Sequence, residues 1–282
     1  MSVPRQFRLM IGGSLVATVW FIATSMLTQA QPTDAAQQYV RESRALNVRG
    51  ARELWQLVWE GKPATVCGPD EVPLAITCPC TGFAYGEYGN LALVRRRNGR
   101  EVERMQLAPL FGMSDYPEAE RVRGKAILQR WPLFVDDLSS ADRSDPKLLQ
   151  DIRRRRQPTT IQLADYDRDG LATEFLIQVG TLPCGKLQFA AVGISVKEPH
   201  LHALASATNP NAPLIMPRTA WDVLLKGPGT TAVTTWPCGD HGSDVRSELV
   251  VSATNGDIRV KARDHSCPAD GTDEKLIKET DL

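Results

Sequence analysis

Histidine is scarce in this sequence, with four in 282 residues, so imidazole-based metal or acid–base chemistry has little to draw on. A charge excess of either sign is missing too: Lys plus Arg and Asp plus Glu both total 33. That balance gives no electrostatic case for nucleic acid as a partner. No G-x-S-x-G is present, so no hydrolase nucleophile elbow is signalled. Neither G-x-x-x-x-G-K-[ST] nor G-x-G-x-x-G occurs, which removes the common phosphate-cradling loops. No long apolar run follows residue 27, so nothing beyond the N-terminus reads as a membrane span.

The N-terminus itself carries a signal. Arg5 and Arg8 sit in an acid-free start, and an uncharged stretch runs from Leu9 to Leu27. It ends in Thr28-Gln29-Ala30, with small residues at the −3 and −1 positions. A basic start, an apolar middle and an A-x-A-like end are the parts of a secretory signal peptide, assigned here to residues 1–30. The competing reading is an uncleaved anchor at 9–27 and hence a membrane-anchored envelope protein. Gly12, Gly13, Ser14 and Ser25 dilute the stretch, and polar QPTDAAQQ follows at once, both of which favour cleavage. No Cys follows the cut, which argues against a lipoprotein. The expected location is the periplasm or cell exterior.

Six cysteines lie beyond the leader: Cys67, Cys78, Cys80, Cys184, Cys238 and Cys267. An even number in an oxidising compartment predicts disulfides. Cys238 with Cys267 is the one specific pairing expected, because the hairpin between them brings its own ends together. The alternative for Cys78-Pro79-Cys80 is zinc, but C-x-C is tighter than the usual C-x₂₋₄-C.

The chain divides into the leader, an N-terminal helical segment at 31–61, and a β-rich, disulfide-containing region at 62–282. The helix rests on Ala51, Leu54, Trp55 and Val58 at i, i+3, i+4 and i+7, with Thr33 or Asp34 as cap and Gly61 as stop. Asn98-Gly99 and Asn255-Gly256 mark type I′ hairpin turns between apolar runs. Thr159–Leu163, Glu174–Val179, Leu187–Val196 and Leu201–Ala205 read as short strands. Asp145-Pro146 opens a short helix and Arg218–Leu225 another. A candidate boundary between two subdomains falls near 136–157, where the first of these short helices follows the polar stretch DDLSSADRSD. The fold class is therefore mainly β, antiparallel meanders and hairpins with an N-terminal helical segment and a few short helices; α+β is the alternative. The stretches 79–99 and 237–256 share Pro-Cys, a glycine-bearing loop, an apolar strand and Asn-Gly, features that hairpins also share by chance.

One segment carries chemistry: Asp165-Tyr-Asp167-Arg-Asp169-Gly170-Leu171-Ala-Thr-Glu174. Carboxylates at alternate positions can converge on one hard cation, and Gly170 permits the sharp turn. Calcium takes about 6–8 oxygens, and this spacing offers several from one loop. The candidate ligands are Asp165, Asp167, Asp169, the Leu171 carbonyl and Glu174. The segment resembles the D-x-D-x-D-G loops of EF-hands, dockerins and FG-GAP or VCBS repeats, over about ten residues and at no greater length. An EF-hand has its bidentate Glu where this chain has Leu176, and an FG-GAP loop has an acid where Thr173 sits. The apolar, β-branched flanks favour the strand–loop–strand setting of the FG-GAP type. Asp240, Asp244 and Glu248 form a degraded second copy, read as a turn without metal.

His200 and His202, with Asp240 and His241, offer the ingredients of a zinc hydrolase, the enzymatic alternative. The basic runs Arg95–Arg97 and Arg153–Arg156 read as an exposed strand and a solvated helix end, and the tryptophans as buried packing. The reading with most support is a non-enzymatic exported binding or structural protein, stapled by disulfides and by one structural calcium.

Overall fold

The computed structural model describes residues 37–68, 80–112, 122–130, 138, 140–154, 156, 158–182, 185–267 and 274–282. The expected leader at 1–30, the expected caps Thr33 and Asp34, and Cys78 and Cys184 lie outside them.

The described strands begin with β1 (Gln38–Val48), β2 (Ala51–Glu60), β3 (Ala64–Val66), β4 (Gly86–Gly89), β5 (Leu91–Arg97), β6 (Arg100–Gln106) and β7 (Ala126–Gln129). They continue with β8 (Glu174–Leu182), β9 (Lys186–Gly193), β10 (His202–Ala203), β11 (Ile215–Pro217), β12 (Thr231–Trp236), β13 (Val245–Thr254), β14 (Asp257–Ser266) and β15 (Leu276–Asp281). Three short helices interrupt them: α1 (Ala108–Phe111), α2 (Pro146–Arg154) and α3 (Arg218–Leu224). The chain is thus mainly β. Four sheets form, ordered β1-β2-β5-β6, β3-β4-β7, β12-β13-β14-β15, and a central one in which β9 pairs with β8, β10 and β11. Every pairing between these strands is antiparallel.

The helix expected in the 31–61 segment is instead the β1–β2 hairpin. Arg49 (φ 48°) and Gly50 (φ 82°) make its tight turn. In β2 the alternate residues Glu53, Trp55, Leu57 and Trp59 are buried, while Leu54 and Gln56 between them are only half-buried. A period of two therefore governs this segment, and the helical spacing of Ala51, Leu54, Trp55 and Val58 overlaps it by coincidence. Thr159–Leu163 is also not a strand: Glu42 accepts the amides of Thr160 (2.7 Å) and Ile161 (3.0 Å), so a side chain takes donors that a ladder would use. The hairpins at Asn98-Gly99 and Asn255-Gly256 form with positive φ at all four residues.

Two hydrophobic cores lie on opposite faces of the central sheet. Phe175, Ile177, Val179, Ala190 and Val192 face the core shared with the N-terminal sheets. Leu176 and Ala191, between them in sequence, face the core built with α3 and the β12–β15 sheet. A sheet covered on both faces explains why EFLIQV and FAAVGI read as near-continuous apolar runs. The expected boundary near 136–157 lies within one unit, Ala36–Leu282. It carries α2, whose first amides, Lys147 (2.8 Å) and Leu148 (3.2 Å), are capped by Asp145 Oδ1. No helix among the described residues is long and apolar enough to cross a membrane.

Among the described residues two disulfides form, Cys67–Cys80 and Cys238–Cys267. The second closes the open end of the β13–β14 hairpin, beside the bond from the Cys267 amide to the Asp244 carbonyl (2.8 Å).

Candidate metal centre

The acidic segment closes the mouth of a short antiparallel bridge. Ala164 and Glu174 exchange backbone hydrogen bonds (2.8 and 3.1 Å), and residues 165–173 loop between them. The aspartates fold this loop by capturing its amides. Asp165 accepts from Asp169 N and Gly170 N, both at 3.0 Å. Asp167 also accepts from Asp169 N (3.1 Å). Arg168 and Gly170 take positive φ, so the chain can coil tightly around the carboxylates. Three contacts fix the loop on the body: Tyr166 meets Trp221 edge-on at 5.7 Å, the Gly256 amide donates to the Asp167 carbonyl at 2.9 Å, and the Val196 amide donates to Asp169. Gly193 allows the close approach underneath, since a Cβ there would lie 2.2 Å from the Thr173 carbonyl oxygen.

Asp165, Asp167 and Glu174 converge, each offering a carboxylate oxygen within 4.8 Å of the other two. Glu174 is fully buried and Asp167 is 2% exposed. Burial, the neighbouring Asp167 charge and, more weakly, Asp169 push the Glu174 carboxyl up to about 9, against the pull of the Tyr166 amide (2.9 Å) and the Thr173 hydroxyl (2.9 Å). Burial and the Asp169 and Asp165 charges push Asp167 up to about 7, partly offset by the Asp169 amide. Among the described residues neither acid is ion-paired to a base, although Lys197 lines the same cavity as Asp167.

Not every residue singled out by sequence joins the cluster. Asp169 lies outside the triad, its oxygens engaged by Leu171 N (2.8 Å) and Val196 N. The Leu171 carbonyl accepts the Thr173 amide at 3.0 Å. The histidines stay apart: His200 lies by Glu103 (3.4 Å), His202 by Glu198 (3.9 Å) and His241 by Asp240 (2.6 Å). Among the described residues Asp165, Asp167 and Glu174 are the one group of three or more such ligands that gathers, and His200, His202 and His241 are not part of it. Asp240 and Glu248 are held by protein bases instead, Asp240 by Lys186 (2.7 Å) and Glu248 by Arg246 (2.6 Å) and His265 (3.2 Å). Cys80 is consumed by its disulfide and is no zinc thiolate.

Sequence reasoning passed over two residues. Thr173 sits where an FG-GAP loop would have an acid; its hydroxyl lies within hydrogen-bond distance of both Glu174 Oε1 (2.9 Å) and the Ile194 carbonyl (2.7 Å) and has one proton to donate to either. Glu53 is buried and held by Arg95, which is itself buried rather than part of an exposed basic strand.

The donor set is all carboxylate oxygen. That chemistry suits a hard cation such as Ca²⁺, and it lacks the imidazole or thiolate that zinc sites favour. Comparison with protein-family models, with curated proteins and with solved structures finds no match.

Proposed function

We propose that this is an exported, β-rich binding or structural protein in which one calcium ion, held by Asp165, Asp167 and Glu174, staples the 165–174 loop to the central sheet. The observation that carries the reading is two buried carboxylates, Asp167 and Glu174, beside Asp165, neither of them ion-paired to a base among the described residues. Burying such charge is expensive unless it is paired or coordinates a metal. The remaining coordination would come from backbone oxygens and water, as calcium commonly accepts. The role is structural: the loop joins β8 to the 194–198 segment and to the β13–β14 turn, and holding it couples both cores.

Export is supported by the leader pattern at 1–30 and by two disulfides, which persist in oxidising compartments. There, calcium is plentiful enough to fill a weak site. An N-terminus beginning at Gln31 on protein recovered from cells supports cleavage, and retention of residues 1–30 would favour the anchored alternative.

The test is thermal unfolding in millimolar Ca²⁺ and in chelator, with Asp165→Asn/Asp167→Asn alongside. Calcium at about one hundred times its dissociation constant adds about 2.7 kcal/mol to the wild type. The double variant should melt alike in both buffers. A wild type indifferent to calcium would end the proposal.

A further inference from the structure

A different kind of site lies at the edge of the β12-β13-β14-β15 sheet, where β12 pairs with β13 alone. Which of its main-chain groups stay free follows from the hairpin beyond. β13 and β14 join at Asn255-Gly256, with Thr254 opposite Asp257. Those closing residues exchange hydrogen bonds, and every second residue back along β13 does the same with β14. The bond from the Leu282 amide to the Val260 carbonyl, on the other side of β14, fits that alternation. Leu249 and Val251 therefore bond toward β12, where they meet Val233 and Thr231. Ala232 and Thr234 are left with N–H and C=O groups pointing away from the sheet, and both residues are exposed.

An open strand edge invites pairing, and proteins usually blunt it with charge, proline or a bulge. The other three edges of the two four-stranded sheets follow that rule. β1 has Arg41, Glu42 and Arg44 with a bulge at Arg41, and β6 has Arg100, Glu101, Glu103 and Arg104. β15 has Lys278, Glu279 and Asp281. β12, Thr-Ala-Val-Thr-Thr-Trp, carries no charge. Its bulge falls at its end, between Thr234 and Trp236, where the Lys186 ammonium already bonds the Thr235 carbonyl (3.1 Å).

A cavity of about 530 Å³ opens beside this edge, lined by Thr234 and Thr235 of β12 and by apolar side chains. Leu182, Leu187, Phe189, Ile215 and Pro217 are only half-buried and leave carbon surface in it. That size and character suit an organic ligand. Two bases and no acid are among its lining residues. Lys186 is committed to Asp240 (2.7 Å). Arg218 is held loosely: its side chain is 54% exposed, and its Nε lies 3.6 Å from Asp222, too far for a hydrogen bond. The cavity thus joins open main-chain groups, an apolar hollow and an accessible guanidinium.

We propose that β12 and this cavity take an extended peptide by strand addition: its main chain pairs with Ala232 and Thr234, an apolar side chain enters the cavity, and a carboxylate meets Arg218. The open edge favours a polypeptide over an apolar acid, which would fill the cavity and leave the edge unused. The site involves none of Asp165, Asp167 and Glu174 and stands whether or not they hold a metal.

The test titrates the purified protein, in millimolar Ca²⁺, with the acetylated hexapeptides SLTLTD and DTLTLS. They offer leucines at alternate positions and an acid at either end, since an edge accepts a strand in either direction. The readout is the backbone ¹H–¹⁵N resonances of Ala232 and Thr234, which one peptide or both should move saturably. Methylating alternate amide nitrogens of the peptide, one set and then the other, should weaken binding about tenfold or more for the set that faces the edge, and little for the other. Arg218→Gln should weaken the acidic peptide about fivefold and leave unchanged its counterpart with asparagine in place of aspartate. Thr234→Pro removes an outward N–H at an edge position, where proline is tolerated, and should abolish binding. Should that variant fail to fold, the methylated peptides ask the same question of the unaltered protein. Resonances that ignore both peptides, or an acidic peptide indifferent to Arg218→Gln, overturn the proposal. So do two methylated sets that both bind as tightly as the parent, which would mark the cavity as a site for an apolar acid instead.

Discussion

Glu53 and Glu174 are both buried carboxylates on strands, and the protein treats them in opposite ways. Glu53 is surrounded by donors that belong to the chain: Arg95 by two nitrogens (2.9 and 3.0 Å), Arg97 (2.6 Å) and the Trp55 indole (2.9 Å). Burial alone would raise its pKa, but these partners, Arg95 foremost, hold it down to about 2. Glu174 has one amide, one hydroxyl and two or three acids for neighbours, and it is pushed up to about 9. The pair teaches that burial of a carboxylate does not determine its charge state; the supply of counter-charge does. At Glu53 the fold supplies it. At Glu174 no described base is ion-paired to the carboxylate, and a proton, or the proposed metal ion, would take that place.

The largest effect should come from turning the first case into the second. Arg95→Leu leaves Glu53 buried with Arg97 alone among its guanidinium partners. Removing one member of a buried pair costs about 3–5 kcal/mol, measurable by urea unfolding. The loss should be the same in calcium and in chelator, because one isolated acid makes no calcium site. A cost below about 1 kcal/mol would mean that Arg97 suffices.

Glu174→Gln makes the reverse change and should show a sign that depends on the buffer. In chelator at neutral pH the amide removes a group that resists ionisation and can donate to Asp167, so the variant should be at least as stable as wild type. In calcium it should lack the gain of about 2–3 kcal/mol that the ion gives wild type at saturation. Equal destabilisation in both buffers would make Glu174 a packing residue.

Why one acid was legible in sequence and the other was not follows from distance along the chain. Asp165, Asp167 and Glu174 meet within one loop, so their spacing revealed them. Asp169 accepts from the Val196 amide, 27 residues away, and local spacing carries no trace of that contact. Glu53 and Arg95 are 42 residues apart, joined only by the β2–β5 register. The same limit governs the fold. Asn98-Gly99 and Asn255-Gly256 announce their turns by side-chain chemistry alone. Arg49-Gly50 does not, since arginine has no intrinsic preference for positive φ, and the hairpin it joins passed for a helix. The bulge at Arg41 was equally silent, because a register slip exists only once two strands pair.

The two glutamates should also separate along the pH axis. Glu174 binds its proton more tightly folded than unfolded, so the unfolded chain carries fewer protons between pH 4.5 and about 9. Metal-free stability therefore falls as pH rises through that window, and Asp167 adds to the fall between pH 3.8 and about 7. Glu53 acts with the opposite sign: its contribution is complete above pH 4.5 and is lost as pH falls toward about 2. In chelator, denaturant midpoints should decline from mildly acidic to alkaline pH; in saturating calcium, which displaces the protons, the decline should flatten. Midpoints that decline equally with and without calcium would assign the slope to other groups.

The smallest effect should fall on the acids nearest in sequence to a second loop. Asp240 is bonded by Lys186 and His241, which hold its carboxyl below the ordinary aspartate range, and the Lys186 ammonium also lies 3.7 Å from the centre of the Trp236 ring. Its counter-charge, like that of Glu53, comes from the chain, but at a half-buried position that water still reaches and screens, so the interaction contributes little. Asp240→Asn should therefore leave both the unfolding midpoint and the calcium response near wild type. A calcium response reduced in Asp240→Asn as it is in Asp165→Asn/Asp167→Asn would mean that this loop holds metal despite its protein partners, and that a built-in base does not exclude a cation from an acidic loop.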